Sequence, residues 1–213
     1  MAGKAIFLKP LHKPRGVLAP LVIFAQTTQS LQPRLILDHQ KLQLTIDRLC
    51  YQLIENHKDF VDTVLIGLQP RGIHLSHRVY QRLKEISGIE VPYGLLDITF
   101  YRDDYRTSEK QLLPQSTTIR FSTENKKVVM MDDVLFSGRT VRAAMDAILD
   151  YGRPAQIELL VLIDRRFTRE LPIEPNYVGK AIDSLTSERV MVEWKETSGL
   201  DQIWIVPAKQ ETA

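Results

Sequence analysis

A single cysteine, Cys50, occurs in the 213 residues. No intramolecular disulfide can form, which suits a reducing compartment. No uninterrupted apolar stretch approaches the roughly 18 residues of a membrane-spanning helix. Charge of one sign is not in excess: 28 Lys+Arg against 26 Asp+Glu leave a formal +2. A strongly basic body is thereby excluded, although a local cationic face is not. Internal repeats are lacking too. What remains is 44% hydrophobic and 25% charged residues, the composition of an ordinary globular domain. A compact chain of this length buries roughly 70% of its unfolded surface and needs no covalent staple. These features predict one soluble, cytoplasmic globular domain with no membrane segment.

The first 33 residues differ from the remainder. Pro10, Pro14, Pro20 and Pro33 interrupt them, and residues 26–32 are rich in Gln and Thr. Lys4, Lys9, Lys13 and Arg15 precede a short apolar run over 17–25, in the manner of a secretory signal, but Pro20 breaks that run. The reading adopted is a poorly ordered extension over 1–33 followed by a folded domain over 34–213.

Within 34–213 the apolar periodicity alternates between helix and strand. Asp38 can cap a helix running to about His57, whose apolar face carries Leu42, Ile46, Leu49, Leu53 and Ile54. Residues 60–67 look like a buried parallel strand, followed by a helix over 72–86 that stops at Gly88. A second strand is expected over 91–101, then a polar stretch over 102–114 long enough to be a functional or mobile loop. Residues 128–131 form an apolar strand with Asp132 and Asp133 at its end. An amphipathic helix over 140–151 follows, with Gly152 as its C-cap, then a strand over 157–163 ending in Asp164 and Arg165. Trp194 and Trp204 flank an expected last strand. This alternation predicts an α/β fold, an open and mostly parallel sheet flanked by helices, with ligands at the strand carboxyl ends.

The chemistry concentrates in Val-Val-Met-Met-Asp-Asp-Val-Leu-Phe-Ser-Gly-Arg-Thr, residues 128–140. A buried strand delivers two adjacent carboxylates, and a small-residue turn then opens a helix. The unpaired amides and dipole of a helix N-terminus favour a phosphate dianion, and Gly138 lets the main chain approach it closely. Two carboxylates would repel that phosphate directly. They make sense as partners of sugar hydroxyls, or of a Mg²⁺ ion bridging ligand oxygens. An acidic pair alone is as often a plain strand end. The pair, the turn and the amphipathic helix in register point to a ligand with phosphate at one end and a diol or diphosphate at the other.

This segment resembles the phosphoribosyl pyrophosphate (PRPP) signature of type I phosphoribosyltransferases. Further stretches resemble the PyrR family in particular: residues 66–73 (IGLQPRGI), 97–104 (DITFYRDD), 138–147 (GRTVRAAMDA), 169–173 (RELPI) and 177–180 (YVGK). The likeness spans about 36–195. It implies the type I fold with a small hood and a mobile loop. It also implies Mg²⁺-dependent conversion of uracil and PRPP to UMP and pyrophosphate, with UMP-dependent attenuation of pyrimidine genes through a leader mRNA, in a dimer or larger homo-oligomer.

By the same resemblance, Asp132 and Asp133 engage the ribose hydroxyls and Val134 and Leu135 continue the signature. Phe136, Ser137, Gly138, Arg139 and Thr140 hold the 5′-phosphate. Leu68 to Gly72, with Pro70, Arg71 and Gly72 at its substrate end, form the pyrophosphate loop, Arg102 reaches the diphosphate, and Arg165 contacts substrate. Mg²⁺ is held mainly through PRPP, with Asp132 and Asp133 reaching it through water or ribose. Purine-using relatives usually carry aspartate where this chain has Phe136, which favours uracil.

Departures also bear on function. Pro70 removes a backbone donor from the pyrophosphate loop. The stretch over 164–169 is one residue longer than the family pattern. Arg48 and Lys180 are retained on the RNA face, but Asp47 there would repel phosphates. Two readings follow: an enzyme with added regulation, or mainly an RNA-binding regulator that senses UMP, with incidental catalysis. A purine or orotate phosphoribosyltransferase is a third. His74 and His77 read as a solvated helix face rather than metal ligands, Cys50 as core, and both tryptophans as packing aromatics.

Overall fold

The computed structural model describes residues 32–103 and 114–208. The expected N-terminal extension up to Leu31, and the interior of the expected loop, lie outside the described residues. The chain order is β1 (Arg34–Leu37), α1 (His39–His57), β2 (Thr63–Gln69), α2 (Ile73–Ser87), β3 (Tyr93–Asp97) and β4 (Lys127–Leu135). It continues with α3 (Arg139–Ile148), β5 (Gln156–Arg166), β6 (Tyr177–Asp183), β7 (Glu188–Glu193), a one-turn α4 (Lys195–Ser198) and β8 (Gln202–Pro207).

Five strands form a parallel sheet in the order β3-β2-β4-β5-β6. From β2 the chain leaves through α2 to the β3 edge, whereas β4 continues through β5 to the opposite edge. The winding direction therefore reverses between β2 and β4, and ligand crevices of open α/β sheets lie at such a point. A second, antiparallel sheet of three strands, β1-β8-β7, forms a hood from the two ends of the domain.

Alternation along the central strands builds two cores. Leu65, Val129, Met131, Leu160 and Leu162 pack with α1, α2 and the hood residues Trp194, Ile203 and Ile205. Their neighbours Val64, Ile66, Leu68, Val128, Met130 and Val161 face the other way, against Val141, Ala144, Ala147 and Ile148 of α3. A strand buried on both faces must be apolar at every position, which explains the continuous runs in the sequence.

Helix α1 starts where its cap predicts, with the Asp38 carboxylate accepting from the Lys41 amide at 2.8 Å. Helix α2 ends on left-handed Gly88.

Several expected boundaries shift. Phe60 adopts a positive φ in a turn, so β2 begins at Thr63 instead of Phe60. The strand expected over 91–101 ends at Asp97, whose carboxylate accepts from both the Thr99 amide and hydroxyl and folds residues 99–101 into a 3-10 turn. Asp132 and Asp133 lie inside β4, not beyond it. Helix α3 gives way to a 3-10 turn over Leu149–Tyr151. Gly152 caps that turn, its amide donating to the Leu149 carbonyl, and at φ 128° it lies where a Cβ would come within 2.7 Å of the Glu124 amide nitrogen.

Trp194 precedes the short α4, while Trp204 lies within β8. Cys50 is fully buried, as expected. Of the two helix-face histidines, His77 is exposed but His74 is half-buried against Trp194, at 5.9 Å between ring centroids.

Candidate active site

The turns after β2 and β4 meet at the reversal point and enclose a cleft of about 300 Å³. Behind the β2 turn sits Gly72. Its amide donates to the Leu68 carbonyl at 2.7 Å, and a Cβ would fall 2.5 Å from the Met131 carbonyl and 2.6 Å from that of Leu68. Only glycine fits between the two strand ends. Pro70 and Arg71 are thereby held at the cleft mouth, with Pro70 following a cis peptide. Gly72 itself is a buried support and does not line the cavity.

At the β4 end Gly138 adopts φ 92°, a left-handed conformation that glycine tolerates, and delivers the chain into α3. The β5–β6 connection braces this turn. The amides of Glu170 and Leu171 both donate to the Ser137 carbonyl, and a Cβ added at Gly138 would come within 3.1 Å of Ile173 and 3.4 Å of Leu171. Val134, Leu135, Phe136, Ser137, Arg139, Thr140 and Val141 complete that wall.

The carboxylates of Asp132 and Asp133 lie between the two turns, both buried. Asp132 accepts from the Asp133 amide at 2.9 Å, whereas Asp133 Oδ1 is buried with no hydrogen-bond partner. Burial raises the pKa of Asp132 well above its ordinary 3.8, and the neighbouring Asp133 charge raises it further. Burial also raises Asp133, opposed by the positive charge of Arg71. A buried, unpartnered carboxylate oxygen is costly to maintain, and such groups concentrate at functional sites.

A second cavity of about 540 Å³ opens beside the first and shares Pro70, Arg71, Asp133, Val134 and Phe136 with it. Its far wall is the hood: Arg189, Val190, Met191, Val192 and Trp194, with His74 and Arg165. The two spaces adjoin along these shared residues, with cations in both: Arg102 and Arg139 on the α3 side, Arg165 and Arg189 beneath the hood.

Residues 35–197 match the family of phosphoribosyl transferase domains. "Bifunctional protein PyrR" of Halalkalibacterium halodurans is 45% identical over 81% of this chain and 96% of its own length. The protein of the same name from Bacillus velezensis is 43% identical over 82% and 97%. The chain belongs to the PyrR family of phosphoribosyltransferases.

Among solved structures, a hypoxanthine phosphoribosyltransferase from Staphylococcus aureus superposes with a TM-score of 0.61 at 22% identity. It covers 86% of this chain and 96% of that one. The Trypanosoma cruzi hypoxanthine phosphoribosyltransferase in complex with the product IMP gives 0.63 at 17%, covering 87% and 98%. At such identities the likeness is one of fold.

The PyrR motif residues separate into three groups. Pro70, Arg71, Arg102, Asp132, Asp133 and the 134–140 segment converge on the cleft. Arg165 lies under the hood, its guanidinium already committed: Nε donates to Ser184 Oγ, and Nη2 to the carbonyls of Leu185 and Glu188. It also lies 4.3 Å from the Phe136 ring centroid. Arg48 and Lys180 stand apart on α1 and β6. Arg48 donates to the carbonyls of Val178 and Gly179, and Asp47 pairs with Arg82. Sequence reasoning missed Ile98, Thr99 and Val141 in the cleft and the entire hood wall. No local signal marks those residues, because the hood strands reach the site only through tertiary folding.

Proposed function

We infer that this PyrR member joins uracil to PRPP, releasing pyrophosphate and forming UMP, and that its UMP-bound form regulates pyrimidine genes. The observation that carries this reading is the pair of buried carboxylates, one oxygen unpartnered, facing a left-handed turn at a helix N-terminus. A 5′-phosphate suits the first-turn amides of α3, and ribose hydroxyls suit Asp132 and Asp133. The pyrimidine then extends beneath the hood, beside Phe136 and Trp194.

Breaking the bond between ribose C1 and pyrophosphate leaves a cationic, oxocarbenium-like sugar and a polyanion. Arg71 and Arg102 neutralise the leaving group as its charge builds, each well-placed donor contributing about 3 kcal/mol. The carboxylates below the ribose stabilise the sugar cation. In that role they must be ionised, so ligand binding has to overcome the effect of burial, and the nearby Arg71 charge helps. Mg²⁺ brought by PRPP would supply further leaving-group neutralisation, with Asp132 and Asp133 the residues able to hold it.

The regulatory half rests on the bifunctional relatives and is supported by exposed Lys180. Asp47 and the tethered Arg48 weaken it as an RNA face. Filter binding of a pyrimidine leader RNA with and without UMP tests that half: UMP-stimulated retention supports it, and none removes it. For the enzyme, pyrophosphate release from PRPP is compared with uracil, hypoxanthine and orotate. Uracil should dominate, and preference for either other base would overturn the assignment.

A further inference from the structure

Arg139 opens α3, where a cation opposes the helix dipole and contributes nothing to helix stability. Its side chain is nevertheless held at both ends. Nη1 donates to Asp103 Oδ2 at 2.6 Å and Nε to Glu170 Oε2 at 2.7 Å. Asp103 stands where the chain leaves the 3-10 turn after β3, and Glu170 belongs to the connection that braces the Ser137–Gly138 turn. One guanidinium thus bridges three segments that are far apart in sequence.

Further contacts reinforce the first of these junctions. Arg142, one turn along α3, reaches Asp103 at 3.8 Å. Arg102 Nη1 lies 3.4 Å from Thr140 Oγ1, and the Tyr101 hydroxyl donates to Asp150 in the 3-10 turn that follows α3. Three consecutive residues, Tyr101 to Asp103, are therefore fastened along α3. Arg102, the cation assigned to the diphosphate, is the middle one.

We propose that Arg139 is a positioning residue: its side chain latches Asp103 and Glu170 to the phosphate turn and so sets Arg102 at the diphosphate end of the site. The phosphate is left to the main-chain donors. This inference rests on the PRPP reading of the cleft. It couples the two ends of the substrate, because whatever orders the 137–140 turn also places Arg102.

The ion pairs are half-exposed, with side chains 38% to 51% accessible. An exposed pair shifts an equilibrium by no more than about fivefold, so the kinetic effect is moderate. The test compares wild type, Asp103→Asn, Arg139→Ala and the double variant. The readouts are the PRPP KM, kcat, and inhibition by ribose 5-phosphate, which carries the 5′-phosphate but no diphosphate.

The latch predicts that each single variant raises the PRPP KM about twofold to fivefold, and that the double variant is no worse than Arg139→Ala. Ribose 5-phosphate should inhibit Asp103→Asn as it inhibits wild type. An unaffected Asp103→Asn, additive losses in the double variant, or weakened ribose 5-phosphate inhibition with Arg139→Ala alone would make Arg139 a direct phosphate ligand and overturn the latch. Hydrogen exchange at amides 99–103 decides the matter independently of turnover. Faster exchange in both single variants supports the latch, and unchanged exchange refutes it. Wild type that releases no pyrophosphate with any base would instead sink the reading of the cleft.

Discussion

Replacing Asp133 by Asn should stabilise the protein while disabling it. The carboxylate is buried, with Oδ1 unpartnered and the Asp132 carboxylate adjacent. An unsatisfied buried acceptor costs about 1–3 kcal/mol, and a charged one costs more. An amide keeps the shape, removes the charge and can donate to Asp132 instead of repelling it. A gain of about 1–2 kcal/mol at pH 7 follows, which for a domain of this size is a Tm rise of roughly 2–8 °C.

The sign with pH is fixed by the direction of the shift. Burial raises the folded pKa above the ordinary 3.8, so folding favours the protonated acid. Wild-type stability from this group is complete below that value and declines as pH rises through the folded pKa. The advantage of Asn should therefore be near zero at pH 3.5 and grow towards neutrality. Meanwhile turnover should fall 10²-fold or more, about 3 kcal/mol, because the ribose loses its anionic partner. Thermal denaturation across pH, paired with pyrophosphate release, reads both. An Asn variant less stable than wild type at pH 7, or one with wild-type turnover, would refute the reasoning.

Three further outcomes are expected. Gly72→Ala places a Cβ 2.5 Å and 2.6 Å from two main-chain carbonyls and should cost about 2–4 kcal/mol, lowering Tm and turnover together; an unchanged Tm would contradict the close approach. Burial pushes the Cys50 thiol up to about 12, so the native protein should resist an aromatic disulfide reagent at pH 8 and react once in denaturant; prompt native labelling would contradict its burial. Tyr177→Phe removes a hydroxyl that donates to Glu158 at 2.7 Å and accepts from Asn56, in a buried group with His57. It should cost about 1–2 kcal/mol in urea unfolding with little change in KM, since the network lies away from the cleft.

Strands β2, β4 and β5 and the three long helices were legible because each is governed by local periodicity: doubly buried strands must be apolar throughout, and amphipathic helices must repeat every three to four residues. The edge strand β6 was not, because it is half-exposed and carries no continuous apolar run. The cleft was legible for the same reason, since Asp132 to Thr140 is contiguous and its turn needs Gly138. Misplaced boundaries had side-chain causes that periodicity does not contain, such as the Asp97 carboxylate folding Thr99 back on itself. The hood was hidden because β1 and β8, neighbours in space, are separated by most of the domain. The partners of Arg139 were hidden likewise: Asp103 and Glu170 lie 36 and 31 residues away.

The most direct test is a crystal structure of the protein with UMP and Mg²⁺. The phosphate should sit on the main chain of residues 137–140, the ribose hydroxyls on Asp132 and Asp133, and the uracil ring under the hood beside Phe136. A nucleotide bound elsewhere, or one reversed so that its base lies at Gly138, would contradict the account.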